Sequence, residues 1–177
     1  MRAGDLSTAR ICFAAICYNY GMQWNYVVIP FIALAVGTVG SLFAARDVPL
    51  WYTTIKKPRW TPSGGFFGVA WTIIYAFGAI AALIVWNATV HDALFWVTIA
   101  VFIVNAVLNA VWTYIFFRRH LMKAALWDSI ALEITIIILI ALTIGNAPYA
   151  ALALAPYCAW VAFATALNYA VWKMNLV

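Results

Sequence analysis

Long runs of apolar residues, separated by short polar or proline-containing segments, make up most of this chain. Five runs reach the length of about 20 residues that a helix needs to cross a bilayer. Because the apolar residues are continuous rather than alternating, the pattern favours helices over a closed β-barrel. It therefore predicts an all-α integral membrane protein, a five-transmembrane-helix bundle formed by residues 26–177. The expected helices are Tyr26–Ala45, Phe66–Ala88, Leu94–Phe117, Met122–Ile144 and Tyr149–Lys173.

The amino-acid composition also indicates an integral membrane protein. Of the 177 residues, 68% are hydrophobic and only 8% are charged, whereas a soluble domain is about 25% charged. The net charge of +5 could suggest a nucleic-acid partner. In so apolar a chain it more readily reports which loops face the cytoplasm, and no nucleic-acid partner is expected.

The basic residues predict the orientation. With five spans, eight of the ten fall on one side of the membrane, and only Arg2 and Arg10 fall on the other. The positive-inside rule therefore predicts a cytoplasmic loop 46–65 and a cytoplasmic C-terminus, with the N-terminus opposite. A bacterial membrane and the mitochondrial outer membrane both remain compatible. The eight residues are Arg46, Lys56, Lys57, Arg59, Arg118, Arg119, Lys123 and Lys173.

Residues 1–25 precede the first span and form an N-terminal extension of uncertain structure. Two arginines and the short apolar run Ile11–Cys17 resemble a weak targeting signal, without a clear cleavage site. A mis-assigned start, an interfacial helix and a tail all fit, and a tail is favoured. Cys12, Cys17 and Cys158 make no disulfide framework and are interpreted as small buried residues.

The stretch Trp51–Tyr75 is unusual for a loop between membrane helices. Pro49 just before it, Pro58 and Pro62 within it, and Ser63-Gly64-Gly65 argue against a continuous helix. Ser63 is a plausible N-cap of the second helix. Trp51, Trp60 and Trp71 supply more large rings than a connection requires. We expect this loop to fold over a cavity between the helices and to line it.

Helical spacing brings further rings and amides onto shared faces. Trp71 lies four residues before Tyr75, and Asn105, Asn109 and Trp112 follow an i, i+4, i+7 pattern. Bonding to neighbouring helices is favoured for Asn105, and a position in the cavity for Asn109. Broad rings with few polar groups suit a large, planar, apolar ligand. The expected cavity residues also include Trp51, Trp60, Tyr157, Trp160, Ala164 and Leu167.

Each tryptophan alone is equally compatible with interfacial anchoring or core packing. Small residues of the first helix, including Gly37 and Gly40, serve either close packing within the chain, which is favoured, or a dimer interface. Asp128 is expected to pair with the basic loop of Arg118, Arg119, His120 and Lys123, and Glu133 to be neutral and bonded within the bundle. No zinc spacing, phosphate-binding loop or nucleophile–histidine set is evident, so no metal site and no conventional catalysis is expected.

Four blocks carry a family resemblance: Trp51-Tyr52 with Lys57-Pro58, Trp60 and Pro62; Leu108–Trp112; Pro156–Trp160; and Ala164–Lys173. In this order they resemble the tryptophan-rich sensory protein / translocator protein family, also known as the peripheral-type benzodiazepine receptor family. The N-terminal extension and Ser63-Gly64-Gly65, where many members carry Pro and Arg, depart from the family pattern.

The resemblance implies a membrane receptor or sensor, commonly a homodimer, that binds tetrapyrroles such as protoporphyrin IX or haem and requires no cofactor. It carries ligand contacts over to Trp51, Trp60, Asn109, Trp112, Ala164 and Leu167. Light-dependent porphyrin degradation, with Trp71 and Trp160 implicated, and tetrapyrrole or lipid transport remain alternatives. Leu167, Tyr169 and Lys173 fit a proposed cholesterol motif that often matches by chance.

Overall fold

Five long helices make up most of residues 23–176, the part of the chain that the computed structural model describes. All five are long and apolar enough to cross a membrane. This confirms the predicted five-helix bundle, with helix ends close to the expected positions. The N-terminal extension lies almost wholly outside the described residues, as do Cys12 and Cys17. The helices are α1 Asn25–Asp47, α2 Gly64–Ala88, α3 Ala93–Thr113, α4 Met122–Thr143 and α5 Pro148–Met174.

Two helices continue into a short π-helical turn, at Val48–Tyr52 after α1 and at Tyr114–Arg118 after α3. The chain therefore stays helical through Pro49 and Trp51, where a loop was expected. Pro49 lies at the junction where α1 passes into the π turn. A proline lacks an N–H and its ring clashes with the carbonyl four residues earlier, so it disturbs the hydrogen-bond ladder of a helix without having to end the helix. Pro30, inside α1, likewise does not end that helix.

Side-chain caps define where α2 and α3 begin. The Ser63 hydroxyl accepts from the Phe66 N–H at 3.4 Å, which confirms the predicted N-cap. The Asp92 carboxylate likewise accepts from the Phe95 N–H at 2.9 Å. Both caps satisfy N–H groups that a helix leaves unpaired at its first turn.

The helices pack as a closed ring in the order α1, α2, α5, α4, α3 and back to α1. The larger core cluster joins the second half of α2 to α4 and α5, with Ile136, Leu139 and Leu154 fully buried at its centre. A smaller cluster around Phe116, Leu167 and Val171 lies towards the end of the bundle that carries the connection between α1 and α2, which we refer to as the first loop. The tight packing of α4 against α5 leaves the open space of the bundle on the side of α1.

Helix α1 is the least embedded element, and Asp47 is its only buried residue. A Cβ added at Gly37 would lie 3.1 Å from the Tyr75 ring, and one at Gly40 would lie 3.4 Å from Thr113 Oγ1. The small residues of α1 therefore allow close approach within the chain, the favoured alternative. Because so little of α1 is buried, it acts as a thin outer wall of the bundle.

Candidate functional site

A cavity of about 620 Å³ lies between α1, α2, α3 and α5, and we refer to it as the central cavity. Its α1 wall consists mainly of small residues, including Ala33, Gly37, Gly40 and Ala44. The opposite walls are aromatic and come from α2 and from the end of α3. The loop contributes Pro62, and the π turn after α1 contributes Val48 and Tyr52. One smooth wall facing several ring-bearing walls leaves a space suited to a flat molecule.

Six of the side chains expected from the sequence lie in the wall of the central cavity. Trp71 and Tyr75 come from α2, where their rings are 5.6 Å apart. Asn109 and Trp112 of α3 share this wall, as expected from their spacing. The Trp112 ring stacks on Phe116 with ring centroids 5.1 Å apart. The six residues are Trp71, Tyr75, Asn109, Trp112, Ala164 and Leu167.

Five other candidate residues from the sequence do not line the central cavity, and for one of them, Asn105, bonding to neighbouring helices was the favoured alternative. Trp51 stacks on His120 at 4.0 Å. Trp60 is half exposed and packs edge-on against Phe163. Trp160 lies behind Trp71, with ring centroids 6.3 Å apart. Asn105 and Tyr157 are buried deeper, in contact with other helices. The five are Trp51, Trp60, Asn105, Tyr157 and Trp160. Sequence spacing identified the right helix faces but not the depth of each ring.

A chain of side-chain hydrogen bonds runs from the cavity wall across the bundle. The Tyr75 hydroxyl donates to Asn109 Oδ1 at 2.8 Å, and Asn109 Nδ2 donates to the Tyr157 hydroxyl at 2.9 Å. Tyr157 in turn donates to Asn105 Oδ1 at 2.9 Å, and Asn105 Nδ2 donates to Thr135 Oγ1 at 2.8 Å. The chain connects α2, α3, α5 and α4. It satisfies both amides, whose burial in an apolar bundle would otherwise be unfavourable.

Asn105 therefore bonds to neighbouring helices, the alternative favoured from the sequence. Asn109 both lines the central cavity and bonds within the bundle. The two roles that the sequence offers as alternatives are thus combined in one residue. Its amide is held in a fixed orientation because each side-chain atom already has a partner.

Several contacts hold the first loop against the end of the bundle. Arg118 pairs with Asp47 at 3.2 Å, which joins the end of α1 to the turn after α3. The Lys56 N–H donates to Asn175 Oδ1 at 3.0 Å, and Asn175 Nδ2 donates to the Lys56 carbonyl at 2.9 Å. With the stack of Trp51 on His120, these contacts fix the segment that closes one end of the central cavity. We refer to the two Lys56–Asn175 hydrogen bonds as the loop clasp.

Of the two carboxylates of α4, Asp128 does not make the ion pair expected from the sequence, whereas Glu133 is bonded as expected. Asp128 makes no ion pair within residues 23–176, and its Oδ2 is buried without a hydrogen-bond partner there. The ion pair with the basic loop is made instead by Asp47, at the end of α1. Glu133 accepts from the Cys158 thiol at 3.1 Å, as expected for a carboxyl bonded within the bundle. Its buried Oε2 has no partner among the described residues.

The three residues of the proposed sterol motif do not converge. Leu167 is buried in the cavity wall. Tyr169 is half exposed on another face of α5. The Lys173 ammonium lies 5.8 Å from the centroid of the Tyr169 ring, outside the central cavity. Any sterol contact at Tyr169 and Lys173 would therefore be made from the lipid side.

Sequence reasoning did not single out Asn168, which lies in the cavity wall with only 3% of its surface exposed. Its helical spacing could have indicated this position. Ala164, Leu167, Asn168 and Val171 lie at i, i+3, i+4 and i+7 on α5, so they share one face. All four line the central cavity.

Comparisons with known proteins agree with this architecture. A family model described as the TspO/MBR family matches residues 28–173. The chain is 38% identical to "Tryptophan-rich protein TspO" of Archaeoglobus fulgidus over 143 residues, covering 80% of this chain and 91% of the relative. It is 30% identical to "Protein CrtK" of Rhodobacter capsulatus over 155 residues, covering 87% and 95%. It is 31% identical to the human "Translocator protein" over 140 residues, covering 77% and 82%. This chain therefore belongs to the TspO/MBR family of multi-pass membrane proteins.

Proposed function

We propose that this protein is a membrane receptor or sensor that binds a flat, largely apolar small molecule, of the tetrapyrrole class, in the central cavity. The observation that carries the proposal is the cavity itself. Its volume of about 620 Å³ falls within the roughly 300–1,000 Å³ typical of small-molecule sites. Its walls combine aromatic rings with a few polar groups, the composition expected for planar apolar ligands.

The small-residue wall of α1 supports a planar ligand in particular. Because Gly37 already packs against the Tyr75 ring, the open space lies beside that contact, where Ala33, Ser41 and Ala44 of α1 line the central cavity with small side chains. A flat molecule gains most from such a slot because both of its faces contact protein. Lys56 and Arg59 are exposed on the covering loop, where they could pair with acidic groups at the edge of the ligand.

A sensing role requires that occupancy changes something outside the cavity. The segment that closes the cavity also contacts the turn after α3 and the C-terminal end of α5, through Trp51–His120 and the loop clasp. A ligand that shifts Tyr52 or Pro62 would therefore act on the surface formed by these segments. Ligands change such equilibria only through different affinities for the two states.

Homodimer assembly is part of the same proposal. The face of α1 that carries Gly37 and Gly40 is already engaged within the chain. We therefore expect a second copy to pack against other, lipid-facing surfaces.

The cavity assignment predicts different effects for two Gly→Leu substitutions on α2. Gly68 lines the central cavity, whereas Gly78 does not, and a Cβ at either position meets nothing within 4 Å. Gly68→Leu should fill part of the cavity and weaken protoporphyrin IX binding at least about tenfold. The measurement is quenching of tryptophan fluorescence on titration with protoporphyrin IX.

Gly78→Leu is the matched control, because it adds the same side chain to the same helix outside the cavity. It should bind protoporphyrin IX as the unmodified protein does. Equal affinity in all three proteins would place the porphyrin elsewhere and refute the cavity assignment. Absence of saturable quenching in the unmodified protein would refute the tetrapyrrole class.

A further inference from the structure

Two lysines from different helices converge on one tryptophan ring outside the central cavity. Lys123 lies in the first turn of α4, and Lys173 lies in the last turn of α5. Their ammonium groups are 5.9 Å and 5.7 Å from the centroid of the Trp172 ring. We refer to Lys123, Lys173 and Trp172 as the lysine cluster.

No carboxylate of the described chain neutralises the lysine cluster. Within residues 23–176 the only ion pair joins Arg118 to Asp47. Asp128 is the carboxylate nearest to Lys123 along α4, but it comes five residues later and so lies on a different side of the helix. Two like charges placed around one ring repel each other, and an anion bound between them would remove that repulsion.

Each of the two helices carries an aromatic ring four residues from its lysine. Trp127 follows Lys123 on α4, and Tyr169 precedes Lys173 on α5. Residues four apart share a helix face. Because α4 begins and α5 ends at this end of the bundle, both rings lie about one turn, roughly 5.4 Å, farther into the membrane than the lysines. Trp127 is 63% exposed and Tyr169 is 48% exposed, as is typical of rings at the level of the lipid headgroups.

The same two faces are apolar beyond the rings. On α5, Ala162 and Ala166 precede Tyr169 and Lys173 at i, i+4, i+7 and i+11, and all four are exposed. On α4, the exposed Ile134 follows Trp127 by seven residues. Since α4 packs along α5, the surface runs from positive charge through aromatic rings to aliphatic side chains. A phospholipid has the matching order of headgroup, interface and acyl chains.

We propose that Lys123 and Lys173 bind the phosphate group of an anionic phospholipid, with its acyl chains along the exposed faces of α4 and α5. Each ammonium group supplies three N–H donors to phosphate oxygens. A zwitterionic headgroup binds less well, because its own cation offsets the phosphate charge and is repelled by the lysines. No member of the lysine cluster lines the central cavity, so this site is independent of the proposed function.

The test measures the binding of single lipid molecules to the purified protein by native mass spectrometry. It compares phosphatidylglycerol with phosphatidylcholine that carries the same acyl chains. The unmodified protein should bind its first phosphatidylglycerol molecule about tenfold more tightly, because lysines near a membrane surface attract anionic lipids. The double variant Lys123→Gln/Lys173→Gln should lose most of this preference. Equal affinity of the unmodified protein for the two lipids would overturn the site.

The double variant Arg46→Gln/Arg119→Gln is the matched control. It removes the same number of positive charges from the same end of the bundle, and both arginines are exposed. Because neither arginine belongs to the lysine cluster, the preference for phosphatidylglycerol should stay within about twofold of the unmodified protein. An equal loss in both double variants would show that the preference reports only the overall charge of that end, and would refute the site.

Two further measurements cover a folding defect and a different source of phosphate. Lys123→Gln and Lys173→Gln alone should each lose part of the preference, and they decide the test if the double variant does not fold. Full retention of the preference in both would refute the site. Glycerophosphoglycerol, the soluble headgroup without acyl chains, should not displace bound phosphatidylglycerol when present in large excess. Displacement would indicate a site for free phosphate esters and overturn the assignment to a lipid.

Discussion

The Tyr157 hydroxyl connects two asparagines of α3, accepting from Asn109 and donating to Asn105. It is the central member of the hydrogen-bond chain that starts at Tyr75 in the cavity wall. Hydrogen bonds between membrane helices are individually modest. Their loss in a buried network is more costly, because the remaining partners stay buried and unpaired. The chain therefore fixes the orientation of Asn109 in the cavity wall.

Tyr157→Phe should lower the free energy of unfolding by about 1–3 kcal/mol, because it leaves Asn105 Oδ1 and Asn109 Nδ2 without partners. Thermal or denaturant unfolding in detergent would measure the change. Tyr149→Phe is the control, since Tyr149 lies on the same helix and is 75% exposed. Equal stability of the two variants would show that the hydrogen-bond chain does not contribute to the fold.

Helix α1 and the loop after it depend on few contacts compared with the other elements. The α1 segment buries only Asp47, and the loop is held by the Asp47–Arg118 ion pair, the Trp51–His120 stack and the loop clasp. Elements with little buried surface open at low free-energy cost. The wall and the cover of the central cavity are thus the parts of the bundle best suited to move when a ligand enters.

Asn175→Ala removes both hydrogen bonds of the loop clasp and should make the loop open more often. Each bond contributes about 0.5–1.5 kcal/mol, so the loss of both should accelerate trypsin cleavage at Lys56 or Arg59 by at least about fivefold. The measurement is the rate of appearance of cleaved chains in mild detergent. Asn87→Ala, which removes an exposed Asn25–Asn87 bond near the start of α1 and the end of α2, is the control. A cleavage rate unchanged from the unmodified protein would show that the clasp does not hold the loop.

The whole bundle brings its basic segments to one end. Lys56 bonds to Asn175, and Trp51 stacks on His120, so the first loop, the α3–α4 turn and the C-terminal end of α5 meet. The α2–α3 turn, where His91 stacks on Phe95, is at the other end. The positive-inside rule then predicts that the first end faces the cytoplasm.

Single cysteines in a background with Cys12, Cys17 and Cys158 replaced by Ala would test this orientation. In intact bacterial cells, a membrane-impermeant maleimide should label Val90→Cys in the α2–α3 turn. It should label Thr54→Cys in the first loop only after permeabilisation. Both positions are exposed in the structure. The reverse labelling pattern would overturn the orientation and leave the fold untouched.

Local patterns in the chain were enough to establish the class of protein, the five spans and most of the cavity-lining faces. An apolar run of sufficient length must form a helix in lipid, and i, i+4, i+7 spacing places Asn109 and Trp112 on one face. Local spacing carries no information about depth or about partners on other helices. The packed fold was needed to place Trp160 behind Trp71, to assign the ion pair to Asp47 rather than Asp128, and to show that Asn168 lies in the cavity wall without a partner among residues 23–176. The first depends on how α2 meets α5, the second on how the end of α1 meets the turn after α3, and the third on which face of α5 borders the open side of the bundle, and all three follow from the ring order of the helices.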